Sequence, residues 1–386
     1  MRLTPPTSST SHDESSAFPT TDARQDAPGG GIAGKSAFSG DLITTRGGQI
    51  GQGGDSSIGS SAAARPNQAG QSAAFVHVAP RSMPLPVLIA VPHAGRVYPG
   101  ETLAQMRDPE LSQLRLEDRY IDNVGVEIAR ATGTGLLVAQ APRAMLDLNR
   151  AHDDIDWDMV AGPRRRATKP QPHMTGSNAR ARSGLGLVPR RLPGFGEIWR
   201  EKLPREELDQ RIDNIHRPYH EFLALELERI RDAWGAALLV DLHSMPPLRR
   251  RQSTGRQSIG RQSSPTSGNA EGSGPAPHIV LGDRFGASCH SGLVSRAFRF
   301  LERQGCVAAH NRPYAGGYVL DRHASPSRNI HAVQIEVCRS TYLDGALSQP
   351  TDAVTSLAKM LAGLVRELGA ETAGLGAGGR IAQAAE

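Results

Sequence analysis

Six short runs of nearly continuous apolar character punctuate the chain: Val87–Val91, Leu136–Ala139, Leu238–Leu242, His278–Leu281, Val307–Ala309 and Val333–Val337. Runs of that length without alternation suit strands buried on both faces, as in a largely parallel sheet. Between them the period lengthens. Leu116 to Ala131 sets Ile121, Val124 and Ile128 at three- and four-residue steps, and Arg205 to Trp234 carries Ile212, Ile215, Phe222, Leu223 and Leu227 similarly. Gly286 to Arg303 and Thr351 to Leu368 read as two more helices, stopped by Gly305 and Gly369. Strands alternating with helices predict an α/β domain over residues 81–370, with ligands gathering beyond the carboxyl ends of the strands.

Elsewhere the pattern fails. Residues 1–80 hold 12 serines, 12 glycines and 6 prolines without a sustained period, too little apolar surface to offset the entropy of ordering. A disordered tail is expected there, and a flexible one over residues 371–386. Arg251, Arg256 and Arg261 each open a five-residue repeat beginning Arg-Gln-Ser, so residues 248–277 read as an inserted, disordered loop. Basic, proline-containing Gly162 to Gly186 reads as a second long surface loop.

Composition narrows the function classes. A net charge of +5 over 386 residues is too small an excess to mark a nucleic-acid binder. Cys289, Cys306 and Cys338 form no Cys-x-x-Cys pair and leave one unpaired in any scheme, which excludes a disulfide framework and points to a reducing, cytoplasmic setting. No apolar run reaches the roughly 18 residues of a membrane span. A small molecule, rather than a membrane or a nucleic acid, is the expected partner, and the oligomeric state stays open.

Several predicted strands end in ionisable side chains. Val87–Val91 runs into Pro92-His93-Ala94-Gly95, Leu238–Leu242 contains Asp241 and runs into His243, and Val333–Val337 carries Glu336 inside an apolar strand. An ionised carboxylate is rarely buried without a partner. Catalytic zinc takes three protein ligands and keeps a fourth position open. His93 and His243 supply two, and Asp118, with Glu117 as the alternative, supplies a carboxylate at the start of the helix near Leu116. His216 and His220 stand four apart but lack the Glu of His-Glu-x-x-His and enclose Pro218, so they read as helix-start packing. Arg143, Asn149 and Arg150 are candidates for holding a substrate carboxylate, because a guanidinium pairs with one bidentately. Arg312, Tyr314, Gly316 and Gly317 read as a pocket wall, where the glycines permit close backbone approach.

Seven blocks then stand in a familiar order: Pro92-His93-Ala94-Gly95, Asp147-Leu148-Asn149-Arg150, Tyr219-His220, Asp241-Leu242-His243-Ser244-Met245-Pro246, Leu281-Gly282-Asp283, Asn311-Arg312-Pro313-Tyr314-Ala315-Gly316-Gly317-Tyr318 and Gln334-Ile335-Glu336-Val337. From about residue 85 to 345 the chain resembles the N-formylglutamate amidohydrolases, relatives of zinc carboxypeptidases and aspartoacylases. The resemblance implies a phosphorylase/hydrolase-like fold with a mixed, mostly parallel sheet, and hydrolysis of N-formyl-L-glutamate to formate and glutamate, as in histidine degradation. It implies Zn2+ or another divalent metal, Glu336 as general base, Asp241 orienting a histidine, and an Asn149-Arg150 pair on a substrate carboxylate. One departure is Arg96 where those relatives carry the Glu of His-x-x-Glu. A carboxypeptidase or a deacylase for another N-acyl amino acid or peptide is the enzymatic alternative. The non-catalytic alternative is a binding module whose tail and Arg-rich loop engage nucleic acid or acidic proteins.

Overall fold

Strand alternation decides where everything else sits. In a computed structural model, which describes residues 42–50, 72–162, 177–248 and 275–384, the strands are β1 (Leu42–Gly47), β2 (Phe75–Pro80), β3 (Val87–Val91), β4 (Gly135–Ala139), the short ribbon β5 (Arg191–Leu192) and β6 (Gly196–Glu197), β7 (Ala237–Met245), β8 (Ile279–Gly282), β9 (Ala308–His310) and β10 (Ile330–Cys338). Eight of them form one sheet in the order β1-β2-β4-β3-β7-β10-β8-β9. β4, β3, β7 and β10 run parallel, as do β8 and β9, while the β1–β2, β2–β4 and β10–β8 pairs are antiparallel. This is the mixed, mostly parallel sheet expected.

Helices cover both faces: α1 (Gly100–Gln105), α2 (Pro109–Leu116), α3 (Ile121–Thr132), α4 (Ser177–Arg182), α5 (Arg205–Arg211), α6 (Arg217–Trp234), α7 (Ser291–Arg303), α8 (Tyr318–His323) and α9 (Ala353–Ala384). Ile89, Val91, Val240, Leu242, Ile335 and Val337 pack on one face against Ile121, Val124 and Ile128 of α3 and Leu361, Leu364 and Leu368 of α9. Leu88, Ala90, Leu239 and Ala332 pack on the other against Tyr219, Leu223, Leu227 and Ile230 of α6. Because successive side chains alternate, Asp241 and His243 continue the Leu239 face, and Gln334 and Glu336 continue the Ala332 face. The second face is thus apolar at its amino end and ionisable at its carboxyl end.

Several expectations need correction. Residues 1–80 are not all tail: β1 and β2 extend the sheet beyond β4, with Phe75 packed against Tyr219 and Phe222. The tail expected over 371–386 is largely helix. α9 runs past Gly369, whose bare Cα lets Leu85 close in, and Thr372 is fully buried; glycine weakens a helix by only about 1 kcal/mol, which packing overrides. The helix expected over Leu116 to Ala131 starts later, as α3 at Ile121: Leu116 instead ends a separate helix, α2, and Glu117 to Tyr120 intervene, with Tyr120 left-handed at φ 57°. The helix expected from Gly286 begins at Ser291, where the His290 side chain accepts from Gly292 N–H. Within the loop expected at Gly162–Gly186, Ser177–Arg182 forms α4. The repeats at Arg251, Arg256 and Arg261 lie outside the described residues. All the described residues fall within one unit, Phe38–Glu386.

α5 and α6 form one helix interrupted by a π turn at Ile212–His216. Pro218 has no N–H to give the carbonyl four residues back, that of Asn214. Gln49 N–H takes that oxygen instead, at 2.8 Å. Truncating Leu239, which is fully buried in β7, opens a cavity between sheet and α6. Leu239→Ala is expected to cost about 2–5 kcal/mol, read as a lower urea midpoint at constant m-value.

Candidate active site

The carboxyl ends of β3 and β7 lie side by side, since Ala90 is in register with Asp241. His93 follows β3 by two residues and His243 lies near the end of β7. Their rings are 4.8 Å apart and both are buried. The turn between α2 and α3 brings Asp118 to them, tied by its N–H to the His93 carbonyl at 2.9 Å. Asp118 Oδ2 stands 3.1 Å from His243 Nδ1 and 3.6 Å from His93 Nδ1. Glu117, the alternative, turns away toward Arg119, 3.3 Å distant.

Each imidazole is held from behind. His93 Nε2 pairs with Asp147 Oδ1 at 2.7 Å and His243 Nε2 with Asp241 Oδ2 at 2.9 Å. With Nε2 donating to its carboxylate, the Nδ1 of His93 is left bare, and it is buried without a hydrogen-bond partner. Two histidines pinned by carboxylates and aiming their free nitrogens at a third carboxylate form the usual carboxylate–histidine arrangement around a metal. The three ligand atoms lie within 4.8 Å of one another, and the two distances to Asp118 are close to the ~3.3 Å that tetrahedral ligands about 2.0–2.1 Å from an ion impose. The residues present fit a divalent metal ion.

Electrostatics agree. Burial alone would raise the Asp118 pKa, but His243 and His93 hold the carboxyl well below its ordinary range. Burial would lower that of His243, yet Asp241, Asp118 and Glu336 hold the imidazole well above its own. The pocket stabilises positive charge where its three inner groups meet. Asp147, against burial, is held low by Arg143, Arg150 and His93.

Glu336 is in register with His243 on the adjacent parallel strand, and both side chains belong to the same face. Burial pushes its carboxyl up to about 7, with His243 and Arg143 opposing. Gln334, two residues earlier on that face, donates Nε2–H to Glu336 Oε1 at 2.7 Å. Half-buried Tyr314 is electrostatically close to Glu336, Arg339, Asp118 and Arg143. Its loop presses on β8: a Cβ on Gly282 would sit 2.6 Å from the Ala315 carbonyl carbon.

The other expected residues divide. Arg143 pairs with Asp147 through Nε at 3.0 Å and Nη2 at 2.9 Å and is felt by Asp118 and Glu336. Asn149 is engaged internally: its Oδ1 accepts from Val319 N–H at 3.0 Å, and Gly317 lies against its amide. Arg150 donates to the carbonyls of Leu185 and Asn149. Gly316 takes φ 99° at the mouth of the Tyr314 loop, and Arg312 is exposed there. His216 and His220 donate Nε2–H to the carbonyls of Arg150 and Leu148, at 2.9 and 3.0 Å. Burial lowers the His216 pKa to about 4, so this imidazole stays neutral. The pair braces the Asp147–Arg150 turn from behind, and His220 Nδ1 faces His323 Nε2 at 2.9 Å. Sequence reasoning missed Asp147 as the support of His93 and Gln334 as the support of Glu336. Spacing offers a signal only for Gln334, which shares a strand face with Glu336.

The depressed pKa of Asp147 makes a signed prediction. Its contribution to stability is fully present above the ordinary aspartate value of about 3.9 and is lost as pH falls through the lower folded value. In chelator-treated protein, Asp147→Asn should lower the urea midpoint at about pH 6 and flatten its decline toward about pH 3. An equally steep acid limb in the variant would assign that limb to other groups.

Comparison with known proteins places this geometry in a family. The model of the family described as FGase, N-formylglutamate amidohydrolase, matches residues 85–343. The chain is 29% identical to an N-formylglutamate deformylase of Pseudomonas putida over 281 residues, covering 70% of this chain and 89% of that protein. It is 28% identical to an N-formylglutamate deformylase of Pseudomonas aeruginosa over 293 residues, covering 74% and 91%. The crystal structure of N-formylglutamate amidohydrolase from Ralstonia eutropha superposes with TM-score 0.63 at 28% identity, covering 77% of this chain and 98% of that one. A gene product of Agrobacterium tumefaciens shares the fold at 16% identity and TM-score 0.50, covering 74% and 91%. With the family model spanning the strands and turns that carry His93, Asp118, His243 and Glu336, the chain belongs to the N-formylglutamate amidohydrolase family.

Proposed function

We propose that this protein hydrolyses the amide of an N-formyl acidic amino acid, N-formyl-L-glutamate foremost, to formate and the free amino acid. Zinc, or another divalent metal, is the ion in this reading, held by His93, Asp118 and His243. The observation that carries it is the pairing of that three-residue cluster with a buried carboxyl, Glu336, poised near neutral pH on the adjacent strand.

A divalent ion in the cluster would supply electrophilic assistance to the formyl carbonyl and acidify water beside it. The remaining work falls to the chain's own groups. Glu336 takes a proton from the attacking water and delivers it to the leaving amine nitrogen, as a carboxyl with a pKa near the working pH does best. Gln334, by occupying Oε1 of Glu336, leaves Oε2 for that transfer. Arg143 and Arg312 meet the substrate carboxylates, orienting the scissile bond. Tyr314, Gly316 and Gly317 line the wall, while Asn149 and Arg150, through the bonds they make to the protein, set the floor beneath the substrate.

The test is formate release from N-formyl-L-glutamate by the purified protein, compared with N-acetylglutamate and a peptide substrate. His243→Ala is expected to lose bound metal and activity together. Glu336→Gln is expected to keep the metal while kcat falls by about 10²–10⁴. Normal turnover by Glu336→Gln would remove this residue from the mechanism, and preference for the acetyl or peptide substrate would replace the formyl assignment.

A further inference from the structure

Arg339 is buried directly after β10, three residues beyond Glu336, and its guanidinium makes four hydrogen bonds. Nε donates to Ser244 Oγ at 3.0 Å, next to His243. Nη1 donates to the Leu114 carbonyl at 3.2 Å, and Nη2 to the Glu117 carbonyl at 2.6 Å and to Asp118 Oδ1 at 3.1 Å. The side chain therefore caps the carboxyl end of α2, where a cation is favoured, and in the same stroke grips the carboxylate that follows.

The two oxygens of Asp118 have different fates. Oδ1 is taken by the guanidinium, and Oδ2 faces the Nδ1 atoms of His93 and His243. We propose that Arg339 is a positioning residue that makes Asp118 a single-oxygen ligand and thereby sets which ions the cluster accepts. The proposal rests on the metal reading above. Two imidazoles and one carboxylate oxygen leave an open fourth position, the arrangement that zinc and cobalt favour. A carboxylate free to offer both oxygens suits larger, higher-coordinate ions such as manganese or calcium. Lysine cannot replace this function, because it lacks the planar fork that reaches Ser244, the Glu117 carbonyl and Asp118 together.

Charge and position predict opposite outcomes. If Arg339 acted through charge alone, its removal would strengthen cation binding, since a guanidinium repels a cation. If it acts by position, removal frees Asp118 and weakens binding. The experiment titrates chelator-stripped wild type, Arg339→Lys and Arg339→Gln with Zn2+ and Mn2+ against a competing chelator, and records visible spectra of the Co2+ forms. Both variants should lose zinc affinity by about 10–100-fold, discriminate less between zinc and manganese, and replace the intense bands of four-coordinate cobalt with the weaker bands of higher coordination. Wild-type or tighter zinc binding with an unchanged cobalt spectrum in either folded variant overturns the proposal. Should thermal melts show both unfolded, Ser244→Ala, which removes the Nε partner, carries the test: a shift in the same direction supports the proposal, and unchanged affinity and spectrum overturn it. Wild type that takes up neither zinc nor cobalt removes the metal reading itself, an outcome distinct from variants that bind as wild type does.

Discussion

One buried negative charge organises this protein. Asp118 is sealed from water, and an isolated carboxylate in such a place would protonate or pull the local structure apart. It remains ionised because two imidazoles and a guanidinium converge on it, while the backbone tie between Asp118 N–H and the His93 carbonyl holds its turn in place. The supporting groups come from β3, β7, the end of β10 and the α2–α3 turn, so satisfying one charge aligns four separate stretches of chain.

A second ring of charge repeats the logic farther out. Asp147 and Asp241 each hold an imidazole, and Asp147 is in turn held by Arg143. Opposite charges therefore alternate outward from the centre through His93, Asp147 and Arg143. Glu336 stands apart. Its hydrogen bond comes from a neutral amide, and burial consequently dominates its proton affinity.

The sheet was legible because strands buried on both faces leave a near-continuous apolar signature, and the ionisable residues interrupting those runs at His93, His243 and Glu336 marked the site directly. Asp118 was recognisable as a type of residue at an approximate place. Its turn was not, because the break between α2 and α3 depends on a backbone hydrogen bond to residue 93, a contact that local periodicity does not record. β1 and β2 were hidden for a related reason: Leu42 and Ile43 are the only apolar residues of β1, and Phe75 of β2 gains its burial against Phe222 and Tyr219 of α6, far along the chain. The continuation of α9 past Gly369 follows the same rule, since packing with Leu85 outweighed a residue that usually ends helices. His216 and His220 illustrate the converse. Their spacing resembled a metal-binding pair, but each faces a carbonyl, and a carbonyl asks an imidazole for a proton.

The π turn at Ile212–His216 sets the angular phase of a long helix. Each residue of an α-helix advances the chain by about 100° around the axis, so the wide turn rotates α5 relative to α6 by an amount that regular helix would not give. With that rotation, His216 and His220 address neighbouring carbonyls of one turn while Asn214 offers its own oxygen to Gln49 on the opposite side. Excising a single residue there would leave the helix intact to spectroscopy and yet turn His216 off its carbonyl, loosening the Asp147 turn and the Gln49 contact together. The helix thus works as a cam, and the added width of one turn is what keeps two distant parts of the chain in time with each other.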